Sequence, residues 1–327
     1  MPTLLGSLRR LALTPSLRDV TFNRRGFPVK ATSRTERLEV IPQSVICGFE
    51  WAIEARGLWE VERRLLMVEP ELRGYAYEGA TMAYTIRDAI HGKRTRELLL
   101  GPAQPHLFLS YIGVGFALSR LPRRLWRKVV PDLTGSRYYP RVTWLAVDGY
   151  GFDRAYFHTD RWVSAQKVPH AYPWAGSGDY FLRAVDQGIG RALWFIHGAG
   201  VAAVTDAVLR FPEHRRADLW SGVGLAATFA GGCESEDFSA LRRLSGEHWA
   251  EVGLGTVLAV KARVHAGFVP KHTEPASALL AGMSVPEAVA LADRAEESGG
   301  RAEAGLSYEG WRRRIAGRIP QAEADRR

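Results

Sequence analysis

"DQGIGRALWFIHGAG", residues 186–200, sets four glycines among large apolar side chains, and the fold turns on what those glycines are for. A dinucleotide-binding loop needs Gly-x-Gly-x-x-Gly after a β-branched strand, with the third glycine admitting close strand–helix packing. Gly188 and Gly190 fit that pattern, but the third position is Leu193, and the preceding "YFLRAVD" is no buried strand. A Gly-Lys-Ser/Thr phosphate loop is absent from the chain. The remaining explanation is close packing. An interior glycine costs a helix roughly 0.5 to 1 kcal/mol relative to alanine, and dispersion contacts with a neighbouring backbone offset that cost.

Comparing the chain with itself extends this reading. "PELRGYAYEGATMAYTI" (70–86) aligns with "PEHRRADLWSGVGLAATFA" (212–230), matching Pro70 to Pro212, Glu71 to Glu213 and Arg73 to Arg215. After a one-residue shift, Gly79 meets Gly222 and Ala83 meets Ala226. "GFEWAI" from Gly48 falls opposite "GRALWF" from Gly190, and "HLFLSYIGVGFAL" from His106 opposite "HWAEVGLGTVLA" from His248. "GFDRAYFHT" from Gly151 falls opposite "GFVPKHT" from Gly267. Four blocks in one order imply a duplicated helical unit. The expected organisation is a basic lead-in over 1–44, a first helical repeat over 45–160, a linker over 161–185, a second repeat over 186–275, and C-terminal helices with a polar tail over 276–327. The fold class is mainly α, two pseudo-repeated halves packed through Gly/Ala-rich helices.

Elsewhere the signals are local. "WEVERRLLMVEP" puts Val61, Leu65 and Val68 on one face and should stop near Pro70. "LPRRLWRKVVPDL" (121–133) carries the densest basic run, read as a solvated face between prolines. The partly alternating, aromatic-rich stretch between the halves admits a short hairpin around Arg141–Val147 and Phe152–Phe157. "VPHAYPWAGSGDY" (168–180) reads as loop. Ser284 and Glu287 make a capping box for a helix through Arg294, and "YEGWRRRIAG" forms a last amphipathic helix before a tail expected to fray.

With 327 residues, 46% of them hydrophobic, the chain can bury a large core. Its net charge of +9 attracts anionic surfaces within a Debye length of roughly 10 Å. Cys47 and Cys233 are the two cysteines, with no Cys/His pattern at zinc spacing. Arg9 and Arg10 interrupt the apolar opening before a signal-peptide core develops. Residues 188–209, the nearest approach to a membrane span, are broken by Arg191, His197 and Asp206. The expected location is cytoplasmic, with membrane association through a partner. Basic residues are not interleaved with aromatics on a reading element, so no nucleic-acid partner is expected.

Asp148, Tyr150, Asp153, Tyr156, His158 and Asp160 crowd into 13 residues, an assembly of acids, phenols and one imidazole suited to proton transfer. His158 titrates nearest neutrality and is its natural base. Glu50 and Glu54 share a helix face, and Glu78 sits beside a glycine in an apolar segment. The second-half counterparts are Ala192 for Glu50 and Ser221 for Glu78. An acid on one half only is a candidate site residue, because a buried carboxylate must be paired or shift its pKa. His197, His248, His265 and His272 lack the spacing of metal ligands on one helix, and no nucleophile elbow occurs. No cofactor or metal is identified.

At "RRGF" (24–27), "GYAYEGATMA" (74–83), "DGYGFDRAYFH" (148–158), "DQGIGRALWF" (186–195) and "DLWSGVGLAATFAGG" (218–232) the chain resembles the UnbL family, accessory proteins encoded beside enediyne polyketide synthases in actinomycetes. The resemblance extends from the basic lead-in to about residue 275. It implies a pathway and no reaction: conversion of a linear polyene from the polyketide synthase into the enediyne core, alongside other cassette proteins including a membrane protein. The family supplies no catalytic residues to carry over. A protein handling such a polyene needs an elongated, water-excluding apolar cavity. Trp51, Trp194 and Trp220 are expected to line one between the halves, with Glu78, Asp148 or His158 as catalytic groups at its polar end. The alternative is a non-catalytic protein that binds the apolar intermediate or docks the membrane partner.

Overall fold

The computed structural model describes residues 4–297 and 307–320. In chain order the helices are α1 (Leu4–Leu13), α2 (Phe22–Arg25), α3 (Ser33–Glu54), α4 (Leu58–Leu66), α5 (Pro70–Ile90), α6 (Arg94–Leu100), α7 (Leu107–Leu118), α8 (Trp126–Val129) and α9 (Trp144–Phe157). They continue with α10 (Gly178–Ile196), α11 (Val201–Leu209), α12 (Glu213–Ala230), α13 (Ser235–Leu244), α14 (Trp249–His265), α15 (Thr273–Ala276), α16 (Val285–Glu297) and α17 (Ser307–Ala316). The protein is mainly α, and among the described residues no β-strand forms. The polar tail beyond residue 320 lies outside the described residues.

The hairpin admitted by the alternation does not form: that stretch is helix α9. Its small residues pair at helical spacing, Ala146 with Gly149 and Gly151 with Ala155, and Gly149 packs against the carbonyl of Ile112 in α7.

Helix ends follow their capping chemistry. Pro70 opens α5 at a position where no amide hydrogen is needed. Ser177 caps α10 by accepting from the Tyr180 amide. Gly231 ends α12 at φ +63°, a left-handed turn that favours glycine. Ser284 donates both its amide (2.8 Å) and its hydroxyl (2.7 Å) to Glu287 at the start of α16. Helix α4 ends at Leu66, ahead of Pro70, with Val61 and Leu65 buried. The basic run of 121–133 includes α8, which buries Trp126 and Val129.

Contacts divide the chain into two compact units, Met1–Phe27 with Glu39–Tyr150, and Pro28–Leu38 with Gly151–Arg327. In the first, α7 is buried all round, as a helix without a polar face must be, and the core gathers Phe49, Tyr77, Tyr84, Tyr111, Trp126 and Trp144. In the second, the core holds Phe181, Trp194, Phe211, Trp220 and Phe238.

Glycines inside the helices of both units make helix contacts. A Cβ built on Gly79 would fall on the carbonyl oxygen of Val45, and one on Gly48 on that of Ala76, so α3 and α5 touch backbone to backbone. In the second unit Gly222 meets the carbonyl of Gln187 and Gly190 that of Leu219, joining α10 to α12 in the same way. Gly113 on α7 meets Glu78, and Gly255 on α14 meets Ser221. The block pairing of Gly151 with Gly267 is not matched in the structure. Gly151 lies inside α9 against the carbonyl of Val185, whereas Gly267 makes a φ +77° turn after α14 with nothing near its Cβ position.

Among the described residues no single helix is long and apolar enough to cross a membrane. One bent pair, Thr273–Ala281 with Val285–Glu296 at 62°, passes the same test together on length and composition.

Candidate functional site

In the first unit the backbone contacts fix where the candidate acids sit. Glu78 belongs to α5, and its own carbonyl receives Gly113 of α7; the carbonyl of the adjacent Ile112 receives Gly149 of α9, next to Asp148. Glu78 and Asp148 therefore flank α7 at one level, and both are buried. Helical spacing explains the burial of Glu78. Tyr75 and Met82 lie three and four residues away on the same face of α5, and the helix buries every residue from Gly74 to Thr85.

His158 does not join them. It is exposed just past the end of α9, ten positions beyond Asp148, or about 15 Å along a helix axis. The six-residue cluster around it disperses because helical geometry points its members in different directions: Asp148, Tyr150, Asp153 and Tyr156 are buried, while Asp160 is exposed. Glu54 is buried, with Arg10 and Arg64 each 3.9 Å from one of its carboxylate oxygens. Glu50 pairs with Arg10 at 3.2 Å. Trp51, on α3, is half-buried.

The second unit places Trp194 and Trp220 on the neighbouring helices α10 and α12, both fully buried. The Trp194 indole donates to the carbonyl of Gly231 at 2.9 Å. The Trp220 indole finds no acceptor among the described residues, a deficit of about 1–3 kcal/mol for a buried donor.

Between these helices runs a polar network that the glycine reading passed over. Arg215 on α12 grips Asp186 on α10 with two guanidinium nitrogens, Nε at 3.0 Å to Oδ2 and Nη2 to Oδ1, and lies over the Phe211 ring. Asp218 accepts from Arg183 Nε and from Gln187 Nε2, each at 2.8 Å, and Gln187 also reaches the Tyr180 hydroxyl at 3.3 Å. From α17, Arg312 donates to Ser221 at 2.8 Å, while Glu309 accepts from Arg183.

Burial pushes the Asp186 carboxyl above its ordinary range, although Arg215 opposes the shift. The Tyr180 phenol is likewise raised by burial, against the pull of Arg312. For Arg312 burial works against the charge, but Tyr180, Tyr308 and Asp218 outweigh it and hold the guanidinium protonated. A signal for the Asp218 part of this network was present in the sequence. Arg183, Gln187 and Gly190 follow helical spacing on one segment, and Arg215, Asp218 and Gly222 do so on the other, a polar and glycine stripe on otherwise apolar helices. Paired and charge-balanced, the network suits the fastening of α10, α12 and α17.

The geometry defines a mainly α protein built on backbone-to-backbone glycine contacts, with buried acids in each unit. The chain belongs to the family described as "Protein of unknown function (DUF1702)", which it matches over residues 4–319. No curated protein and no solved structure matches it.

Proposed function

We propose that this protein is an accessory protein of enediyne biosynthesis, acting on the linear polyene that an iterative polyketide synthase releases on the way to the enediyne core. The sequence blocks that resemble the UnbL family support this reading, and four of the five supply segments of α5, α9, α10 and α12, the helices that carry the glycine contacts. The observation that carries a chemical role is that two buried acidic residues, Glu78 on α5 and Asp148 on α9, lie where the backbones of those helices meet α7. A buried carboxyl group is a candidate for proton transfer, because its surroundings set its protonation state. Exposed His158 fits a less central part.

The non-catalytic reading, in which the protein holds the apolar intermediate or docks a membrane partner, draws on the two large apolar side chains Trp194 and Trp220 buried on the neighbouring helices α10 and α12. Gene deletion in a producer, with mass spectrometry of what accumulates, tests the pathway assignment. Complementation by Glu78→Gln and Asp148→Asn separates the two roles. Loss of product with a folded variant supports catalysis, and full complementation by both supports binding alone. Quenching of tryptophan fluorescence by a conjugated polyene measures binding directly in either case.

A further inference from the structure

The exposed apolar side chains concentrate in the first unit. On α1, Leu8 and Leu11 are 55% and 78% exposed, and Leu13 and Leu17 continue the strip. On α4, Trp59 is 64% exposed, and Met67 directly after the helix is 86% exposed; Ile90, ending α5, is also 86% exposed.

Ion pairs and hydrogen bonds gather these elements around the C-terminal end of α3. Arg10 of α1 and Arg64 of α4 share the Glu54 carboxylate. Arg94, opening α6 just beyond Ile90, donates to the carbonyl of Arg56 in the α3–α4 turn at 3.0 Å. Arg87 of α5 donates to the carbonyls of Ala52 and Ala55. The Arg63 guanidinium lies 5.9 Å from the Trp59 ring centre.

Charge selects the occupant. Residues 4–27 hold Arg9, Arg10, Arg18, Arg24 and Arg25 against the single acid Asp19, and Arg18 and Arg24 are exposed. Three of the acids on α3 and α4 are already engaged: Glu50 and Glu54 by Arg10, and Glu60 by Arg64. Leucines and a tryptophan interspersed with arginines are the composition of a helix that lies in the headgroup layer, apolar side down, with its cations on lipid phosphates. At ten residues α1 is far too short to span a bilayer.

We propose that this corner of the first unit, α1 with the exposed ends of α4 and α5, is a peripheral binding surface for an anionic lipid bilayer. The proposal rests on surface chemistry alone and is independent of the polyene reading.

Co-sedimentation of the full chain with vesicles tests it, comparing phosphatidylcholine alone with phosphatidylcholine containing phosphatidylglycerol. Binding is expected to the anionic vesicles only and to weaken as salt shortens the Debye length from roughly 10 Å toward 3 Å. Leu8→Gln with Leu11→Gln should weaken binding by about tenfold or more, since each leucine loses its transfer into an apolar phase. Arg18→Gln with Arg24→Gln should weaken it and flatten the salt dependence. Val269→Gln, an exposed apolar position in the second unit, should change nothing. Circular dichroism and the melting temperature check that each variant is folded, and Met67→Gln with Ile90→Gln provides a second apolar pair. Failure to bind anionic vesicles, equal binding to phosphatidylcholine alone, or binding indifferent to both apolar pairs would overturn the proposal. So would a wild-type dimer that ignores lipid and dissociates on Leu8→Gln with Leu11→Gln, because the patch would then be an interface between copies.

Discussion

Glycine at positions 79 and 222 is a steric requirement, since the carbonyl oxygens of Val45 and Gln187 occupy the places where a Cβ would go. Neither obstacle is a flexible side chain that swings aside. Gly79→Ala and Gly222→Ala must therefore push two helices apart, despite alanine's better helix propensity. Each should cost about 1–3 kcal/mol or more, read as a lowered melting temperature or denaturant midpoint. An unchanged or raised midpoint would mean the helices are not in backbone contact. At His197, which caps α10, burial and then Arg210 push the imidazole down to about 4, against the upward pull of Asp206. An unfolded histidine takes its proton near pH 6.5, but the folded one resists until about pH 4. Its contribution is thus complete above pH 6.5 and is lost as pH falls through 4, about 3 kcal/mol in all. Denaturant midpoints measured from pH 7 to 4 should fall more steeply for the wild type than for His197→Gln. Burial pushes the Cys233 thiol up to about 12, so a thiolate-selective reagent at pH 8 should label it far more slowly in the native protein than in denaturant.

At the scale of elements, α10 and α12 meet through glycine contacts and through the Asp186–Arg215 pair beside them. Removing one partner of a buried pair strands a charge, so Asp186→Asn or Arg215→Met alone should cost about 3–5 kcal/mol. Leucine at 186 combined with methionine at 215 should recover most of that loss, because two apolar side chains leave nothing unpaired. A double-mutant cycle by chemical denaturation measures the coupling; additive losses would show that the two side chains act separately. Helix type and glycine packing were legible in the sequence because both are local or periodic signals. Segment 144–157 misled because a helix mixing aromatic, small and charged residues also alternates over short windows. The candidate acids were legible as types but not as a site. Which of Asp148, Asp153 and His158 turns inward depends on where α7 lies, and no local pattern contains that. The Asp186–Arg215 pair was hidden for the same reason: each residue looked like part of its own helix, and the partner stands 29 positions away.

On the scale of the whole chain, the structure sharpens the case for a duplication. Equivalent glycines make equivalent contacts: Gly48 and Gly190, Gly79 and Gly222, Gly113 and Gly255. Helices α4 and α11 have the same length, nine residues, and hold the same place between the contacting helices. A hydrogen-bond pattern fixes the register. Arg73 donates Nε to the carbonyl of Val68 and Nη2 to that of Leu66, while Arg216 donates the same atoms to Phe211 and Leu209. Arg73 therefore corresponds to Arg216, and Arg215 is an addition of the second unit, free to pair with Asp186. With that register no shift is needed between the arginine and Gly222, and the one-residue offset falls instead at the helix start, where Pro70 and Glu71 stand one position out of step with Pro212 and Glu213. The differences then acquire meaning: Glu78 stands where the second unit has Ser221, and Ser221 accepts from Arg312 on α17. We expect an experimental structure, with the segment α3 to α7 superposed on α10 to α14, to bring Gly79 onto Gly222 and Arg73 onto Arg216 in matched helices. Chance similarity of Gly/Ala-rich helices would match one pair and misplace the others, and that result would remove the duplication. If the superposition holds, Ser221→Glu plants the first unit's buried acid beside the Arg312 guanidinium, and the melting temperature should fall less than for Ser221→Ile, which leaves that cation without its partner.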